Sequence, residues 1–270
     1  MENNTKLTET LWDPESIFSS SSDSKYAIII LNQPILLAKK IVFPLWKKAQ
    51  IRVTVDGGTN QWLKYLGPLV DEVLSGQYLE YAPDLVTGDF DSISPDCMDK
   101  LKNTHVKVIE TPDQNYTDFT KSLIQLSNEC RNKNIKINKI YVFVESSGRL
   151  DHIMGNLDTL YKSEKIIEDD KTIILVASNS LTWLLKSGYH TIKIPRVLIE
   201  DNSWAGLLPV GSSVKNISST GLKYNLDNHT LAFGDTISSS NTYDGSTQVT
   251  VTTHSKIIWS MGIESLVELE

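Results

Sequence analysis

Four short polar segments of this 270-residue chain hold the side chains best suited to chemistry, and each of them carries at least one carboxylate. Asp56 precedes Gly57-Gly58, Asp89 and Asp91 flank Phe90 in Gly88-Asp89-Phe90-Asp91-Ser92, and Asp118 follows Thr117. In an extended chain, residues two apart project to the same side, so Asp89 and Asp91 can face one cation together. Two or three carboxylates, with the other positions left to water and phosphate oxygens, is the usual way to hold magnesium. A polar turn at a strand end is the plain alternative. The second acidic strand end, Asp56-Gly57-Gly58, weighs against it.

The remaining segments add groups for an anionic ligand. In residues 111–121, Pro112 and the polar run predict a loop, and Thr117 an N-cap for a helix starting at Asp118. There Asp118 either complements the helix dipole, worth about 0.3–1 kcal/mol, or reaches a metal or an attacking hydroxyl. Lys121, one turn on, would then reach phosphate. The fourth segment is Glu145-Ser146-Ser147-Gly148-Arg149-Leu150-Asp151-His152. A small-residue loop opening a helix offers backbone N–H groups to phosphate, and Arg149 adds a forked cation. His152 without a partner reads as a polar helix residue. The chain has no Gly-x4-Gly-Lys-[Ser/Thr] run, no Gly-x-Gly-x-x-Gly fingerprint and no His-Glu-x-x-His motif.

Elements that could position these groups are legible around them. Short apolar runs at 26–31, 51–55, 84–87, 106–109, 139–144 and 172–177 alternate with helical stretches such as 118 to about 130 and 150 to about 161. Strands apolar throughout and separated by helices predict a mainly parallel sheet flanked by helices, with ligands at its C-terminal edge. After about 178 the helical period gives way to short runs at 189–194, 204–209, 212–218, 222–226, 230–233, 248–253 and 257–261, with turn residues between them. That texture predicts an all-β antiparallel sandwich. The expected organisation is a polar, loosely ordered lead over 1–24, an α/β catalytic domain over 25–180 and a β-sandwich over 181–270.

Composition narrows the setting. The chain is 40% hydrophobic and 22% charged, with a formal net charge of -7. An acidic chain gains nothing from general attraction to nucleic acid or an anionic membrane, so neither is expected as a partner. Cys97 and Cys130 have no metal-ligand spacing around them and read as reduced, packed thiols. The polar N-terminus is unlike a signal peptide, and no apolar run reaches about 18 residues. A cytoplasmic location is expected.

In this order, the four segments resemble those of the thiamine pyrophosphokinase family. Gly221-Leu222-Lys223-Tyr224-Asn225-Leu226 and Ser239-Ser240-Asn241-Thr242 resemble its C-terminal signature, and Asn32-Gln33-Pro34 with Leu45-Trp46-Lys47-Lys48-Ala49 its eukaryotic branch. The resemblance implies transfer of a pyrophosphoryl group from ATP to the thiamine hydroxyl, by magnesium-assisted in-line attack on the β-phosphorus. It also implies that Asp56, Asp89, Asp91 and Asp118 form the catalytic Mg2+ site. Gln114, Lys121, Arg149 and Asp151 would lie on the ATP side, and Tyr224, Ser239, Ser240 and Asn241 on the thiamine side. A homodimer with thiamine at the subunit interface is implied as well. Two positions depart from the family: its phosphate loop is usually richer in glycine than 145–148, and tryptophan often stands where this chain has Tyr224. A rival reading makes Asp89 the covalent nucleophile of an aspartyl-phosphate phosphatase.

Overall fold

The computed structural model describes residues 8–19, 24–102, 104–168 and 171–269. Two compact units emerge, one from residue 24 to Ser178 and one from Asn179 onward together with residues 8–19. The chain opens with β1 (Glu9–Trp12), which belongs to the second unit.

The α/β unit follows as β2 (Tyr26–Ile30), α1 (Lys39–Lys48), β3 (Ile51–Val55), α2 (Gly57–Leu66), α3 (Val70–Leu74), β4 (Leu85–Gly88), α4 (Pro95–Lys102), β5 (Lys107–Glu110), α5 (Asp118–Asn132), β6 (Lys139–Phe143), α6 (Leu150–Lys162) and β7 (Thr172–Val176). Its strands run parallel in the order β7-β6-β2-β3-β4-β5. Ile28, Ile29 and Ile30 are consecutive and all buried, because helices cover both faces and no residue of β2 can turn to water. Strand order reverses between β2 and β6, so the loops leaving these strands diverge and open a crevice at their C-terminal ends. Every acidic segment named above leaves from that edge or from a helix that starts there. Trp46 and Trp62 stack with ring centroids 3.9 Å apart, and both indole N–H groups donate to the Tyr81 carbonyl, at 3.1 and 2.8 Å. This clamp joins α1 to α2, the helix whose first turn carries Gly57-Gly58.

The second unit comprises β8 (Ser180–Leu185), β9 (Gly188–Lys193), α7 (Arg196–Glu200), β10 (Ala205–Leu208), β11 (Val214–Thr220), β12 (His229–Leu231), β13 (Ser238–Asn241), β14 (Gln248–Thr253), β15 (Ile257–Gly262) and α8 (Glu264–Leu269). Its strands fall into two sets, β1-β9-β14-β11-β12 and β13-β10-β15-β8. Pairing is antiparallel apart from β1 on β9. Alternate residues such as Val249 and Val251 on β14 are buried, while the mostly apolar β15 is buried at every position, Ser260 included.

Two expectations are corrected. Over residues 8–19 the lead is not loose: β1 pairs in parallel with β9, and the Thr8 carbonyl accepts from the Tyr189 N–H at 2.9 Å. Only Thr10 and Trp12 of that short strand turn inward, too few to show as an apolar run. Residues 222–226, expected as a strand, form a turn with a single bridge from Leu222 to Tyr243. Side-chain amides outcompete the sheet there, as described below.

Trp12 fastens β1. Its ring stacks on Trp183 at 5.1 Å, and its indole N–H donates to His190 Nδ1 at 3.1 Å. Nδ1 is therefore an acceptor, and Nε2 carries the hydrogen that it donates to the Lys186 carbonyl at 2.8 Å. Burial holds the His190 pKa below its usual value, and a proton on Nδ1 would also displace the Trp12 bond. The unfolded chain then binds more protons than the native one, so stability rises with pH. Melts should show stability falling as pH drops through about 6.5 towards the lower native value, with His190→Gln flattening that slope. Trp12→Ala should lower unfolding free energy by about 2–4 kcal/mol in denaturant titrations.

Candidate active site

Asp56 sits at the turn from β3 into α2. Its N–H donates to the Thr87 carbonyl at 2.7 Å, which ties it to the end of β4. The backbone here is forced: Asp56 has φ 44 and ψ -122, a conformation that costs a non-glycine residue about 1–3 kcal/mol. Gly88 makes room for it, since a Cβ at that position would lie 2.7 Å from the Asp56 Cβ. Gly57 likewise lets α2 start against β2, because its Cβ would lie 2.3 Å from the Asn32 amide nitrogen.

Asp89 and Asp91 leave β4 around Phe90, whose φ of 64 turns the chain sharply. Asp56, Asp89 and Asp91 each place a carboxylate oxygen within 4.8 Å of the other two. Asp56 is only 7% exposed, and its Oδ1 has no hydrogen-bond partner. Asp91 accepts from the Ser92 hydroxyl at 2.8 Å. Among the described residues no lysine or arginine forms an ion pair with these three. A buried, unsatisfied carboxylate oxygen among like charges is costly unless a cation completes it. An all-oxygen donor set suits a hard divalent cation.

Asp118 stands apart from that trio, across a cavity of about 390 Å³ that it lines together with Asp56, Asn32, Gln33, Asp151 and His152. Thr117 caps α5 as expected, its hydroxyl accepting from the Thr120 N–H at 3.1 Å. Lys121 differs from expectation. It is 5% exposed, and its ammonium donates to the Thr111 carbonyl at 2.7 Å and pairs with Asp118 at 2.8 Å. Two of its three donors are thus engaged, by Thr111 and Asp118. Since the Thr111 N–H donates to the Gly88 carbonyl at 2.7 Å, Lys121 also links Asp118 to the end of β4.

Arg149 is exposed and forks onto Asp151, a residue of the cavity lining, with Nε to Oδ1 at 3.1 Å. That neighbour draws the Asp151 pKa down to about 2. Gln114 is exposed beyond the cavity, its amide donating to the Pro112 carbonyl at 3.3 Å. Glu145 is engaged with Ser178. Its carboxylate accepts from the Ser178 N–H at 3.3 Å and hydroxyl at 2.8 Å, while burial raises its pKa. Asn32, Gln33 and Asn156 were not singled out as site residues from the sequence, although all three line the cavity. The spacing of His152 and Asn156, one helical turn apart on α6, was the available signal.

In the β unit, Tyr224 is 65% exposed, with Lys223 Nζ 5.6 Å from its ring centre. Ser239 and Ser240 are exposed on β13. Asn241 is buried, and its side-chain amide is bonded on both sides within the fold.

A strand-edge acidic trio beside a cavity in an α/β unit, together with a mainly β second unit, is the arrangement of a two-domain enzyme whose class the family matches supply. Residues 43–174 match the model for the thiamin pyrophosphokinase catalytic domain, and residues 189–258 that for its vitamin B1 binding domain. Thiamine pyrophosphokinase 3 of Oryza sativa subsp. japonica is 32% identical over 88% of this chain and 87% of its own. Thiamine pyrophosphokinase 1 of Arabidopsis thaliana is 32% identical over 91% and 89%. The thiamin pyrophosphokinase structure from Candida albicans superposes with a TM-score of 0.78 at 26% identity, covering 94% of this chain and 92% of that one. The chain belongs to the thiamine pyrophosphokinase family, in its eukaryotic form.

Gly88→Ala should force Asp56 aside. Turnover should fall by at least about tenfold and unfolding free energy by about 1–3 kcal/mol, as read from steady-state assays and denaturant titration.

Proposed function

We propose that this enzyme moves the pyrophosphoryl group of ATP onto the hydroxyl of thiamine, giving thiamine diphosphate and AMP. The observation that carries the reading is the convergence of Asp56, Asp89 and Asp91 with an unsatisfied buried oxygen on Asp56. The matches to both a catalytic and a vitamin B1 binding domain supply the substrate class.

In the reaction the thiamine oxygen attacks the β-phosphorus in line. The bond from that phosphorus to the oxygen bridging to the α-phosphate breaks, and AMP leaves with the electron pair. The hydroxyl proton passes to Asp118 or to a substrate phosphate oxygen. Asp56, Asp89 and Asp91, with Asp118 across the cavity, would hold magnesium, which when bound neutralises phosphate charge and orders the oxygens around it. Asp118 is held ready by Lys121. Arg149 supplies a fork for phosphate oxygens once it exchanges Asp151 for the nucleotide, and Gln114 would lie beside the substrate. Tyr224 gives a flat face for the thiamine ring, with hydroxyls from Ser239 and Ser240.

The working form is proposed as a cytoplasmic homodimer, each thiamine held between the α/β domain of one subunit and the β domain of the other. No helix among the described residues is long and apolar enough to cross a membrane.

AMP should form only when thiamine is present. Release of free phosphate from ATP without thiamine would instead favour the aspartyl-phosphate reading of Asp89. Asp91→Asn should cut turnover by at least about a hundredfold while circular dichroism stays unchanged. Near-normal turnover in that variant would remove the metal assignment.

A further inference from the structure

Asn241 carries an inference of its own, resting on the reading of Tyr224 as the thiamine platform. Its side-chain amide has all of its strong bonding capacity engaged inside the fold. Oδ1 accepts from the Tyr224 N–H at 3.1 Å and from the Thr242 N–H at 3.0 Å. Nδ2 donates to the Tyr224 carbonyl at 2.8 Å and reaches the Ser238 hydroxyl at 3.4 Å. The residue is 3% exposed. Two donors and two acceptor positions are thereby used, and no hydrogen remains for a ligand.

The geometry that achieves this is a bulge. Ala205 pairs with Asn241 and Leu207 with Ser238, so one residue of β10 faces two of β13. Ser240 has φ 53, and Gly206 opposite leaves the space, since a Cβ there would lie 3.1 Å from the Ser238 carbonyl oxygen. The extra residue leaves Ser239 and Ser240 exposed and Asn241 buried. Meanwhile the Tyr224 turn has few sheet bonds. Asn225 Oδ1 accepts from the Leu222 N–H at 3.1 Å, and the Lys223 N–H donates to the Thr242 carbonyl at 2.8 Å. Asn241 grips the N–H and C=O of Tyr224 together, as a neighbouring strand would.

We propose that Asn241 is a positioning residue for thiamine binding that acts through Tyr224 and does not touch the vitamin. By holding the Tyr224 backbone at both polar groups, it fixes an exposed ring that packing alone leaves loose. Ordering that ring in advance removes an entropy cost from binding.

The test is a double-mutant cycle in the full-length enzyme with Asn241→Asp and Tyr224→Ala. Aspartate keeps the shape and the acceptors but cannot donate to the Tyr224 carbonyl. Asn241→Asp should raise the thiamine KM by about tenfold, with kcat and the ATP KM unchanged. In the Tyr224→Ala background the same substitution should have no further effect on thiamine KM. Asn241→Ser, with melting temperature recorded alongside, serves if the aspartate variant does not fold. An undiminished effect in the Tyr224→Ala background would overturn the inference, because Asn241 would then touch thiamine or act elsewhere. So would a lowered melting temperature with unaltered kinetics, the mark of a purely structural role. If Tyr224→Ala alone leaves thiamine KM unchanged, the platform reading itself falls, and this inference with it.

Discussion

Three carboxylates repel one another at the edge of the parallel sheet, and much of the local structure follows from keeping them together. Asp56 cannot retreat, because its amide is bonded to Thr87 and its backbone is locked in a strained turn. The strain persists because neighbouring parts over-determine it: parallel pairing of β3 with β4, α2 clamped to α1 by stacked tryptophans, and glycines where a Cβ would collide. An unsatisfied anionic oxygen is the residue of that construction. A buried oxygen of that kind costs free energy unless a cation or a hydrogen-bond donor completes it.

Positive charge is distributed to serve this arrangement without cancelling it. Lys121 pairs with Asp118, and Arg149 pairs with Asp151. Each pairs with a carboxylate of the cavity lining, and neither is paired with the trio. Lys121 is held by burial and a backbone carbonyl, whereas exposed Arg149 can exchange partners. The two cations therefore differ in what they can do, although the sequence presents them alike.

The β unit solves a separate problem, that of fixing an exposed aromatic on a turn. Asn225 and Asn241 replace strand pairing with side-chain amides, and a bulge opposite Gly206 turns the second of these inward. The N-terminal strand adds to the same unit through Trp12 and His190, a polar pair whose neutral form alone satisfies both partners.

Much of this was legible in the residues themselves. All-apolar strands separated by helices predict a covered parallel sheet, and period-two runs predict the sandwich, because burial on two faces or one leaves different patterns. Asp89 and Asp91 were legible as carboxylates just past a strand end, although the left-handed turn at Phe90, and not strand alternation, leads the chain between them; Thr117 was legible from capping chemistry. The rest lay beyond local pattern. A β1 strand with two inward residues has no detectable period, and only the partner strand β9 makes it a strand. Lys121 and Asn241 have the side chains of ligand-binding residues, and nothing nearby in sequence says that a carbonyl ten residues earlier or a backbone seventeen residues earlier engages them. Sequence by itself determined the types of group and the strand ends that carry them, since those depend on neighbours along the chain. Which groups remain free for a ligand was decided by tertiary structure alone, because hydrogen bonds are shared out among residues that meet only when the chain is folded.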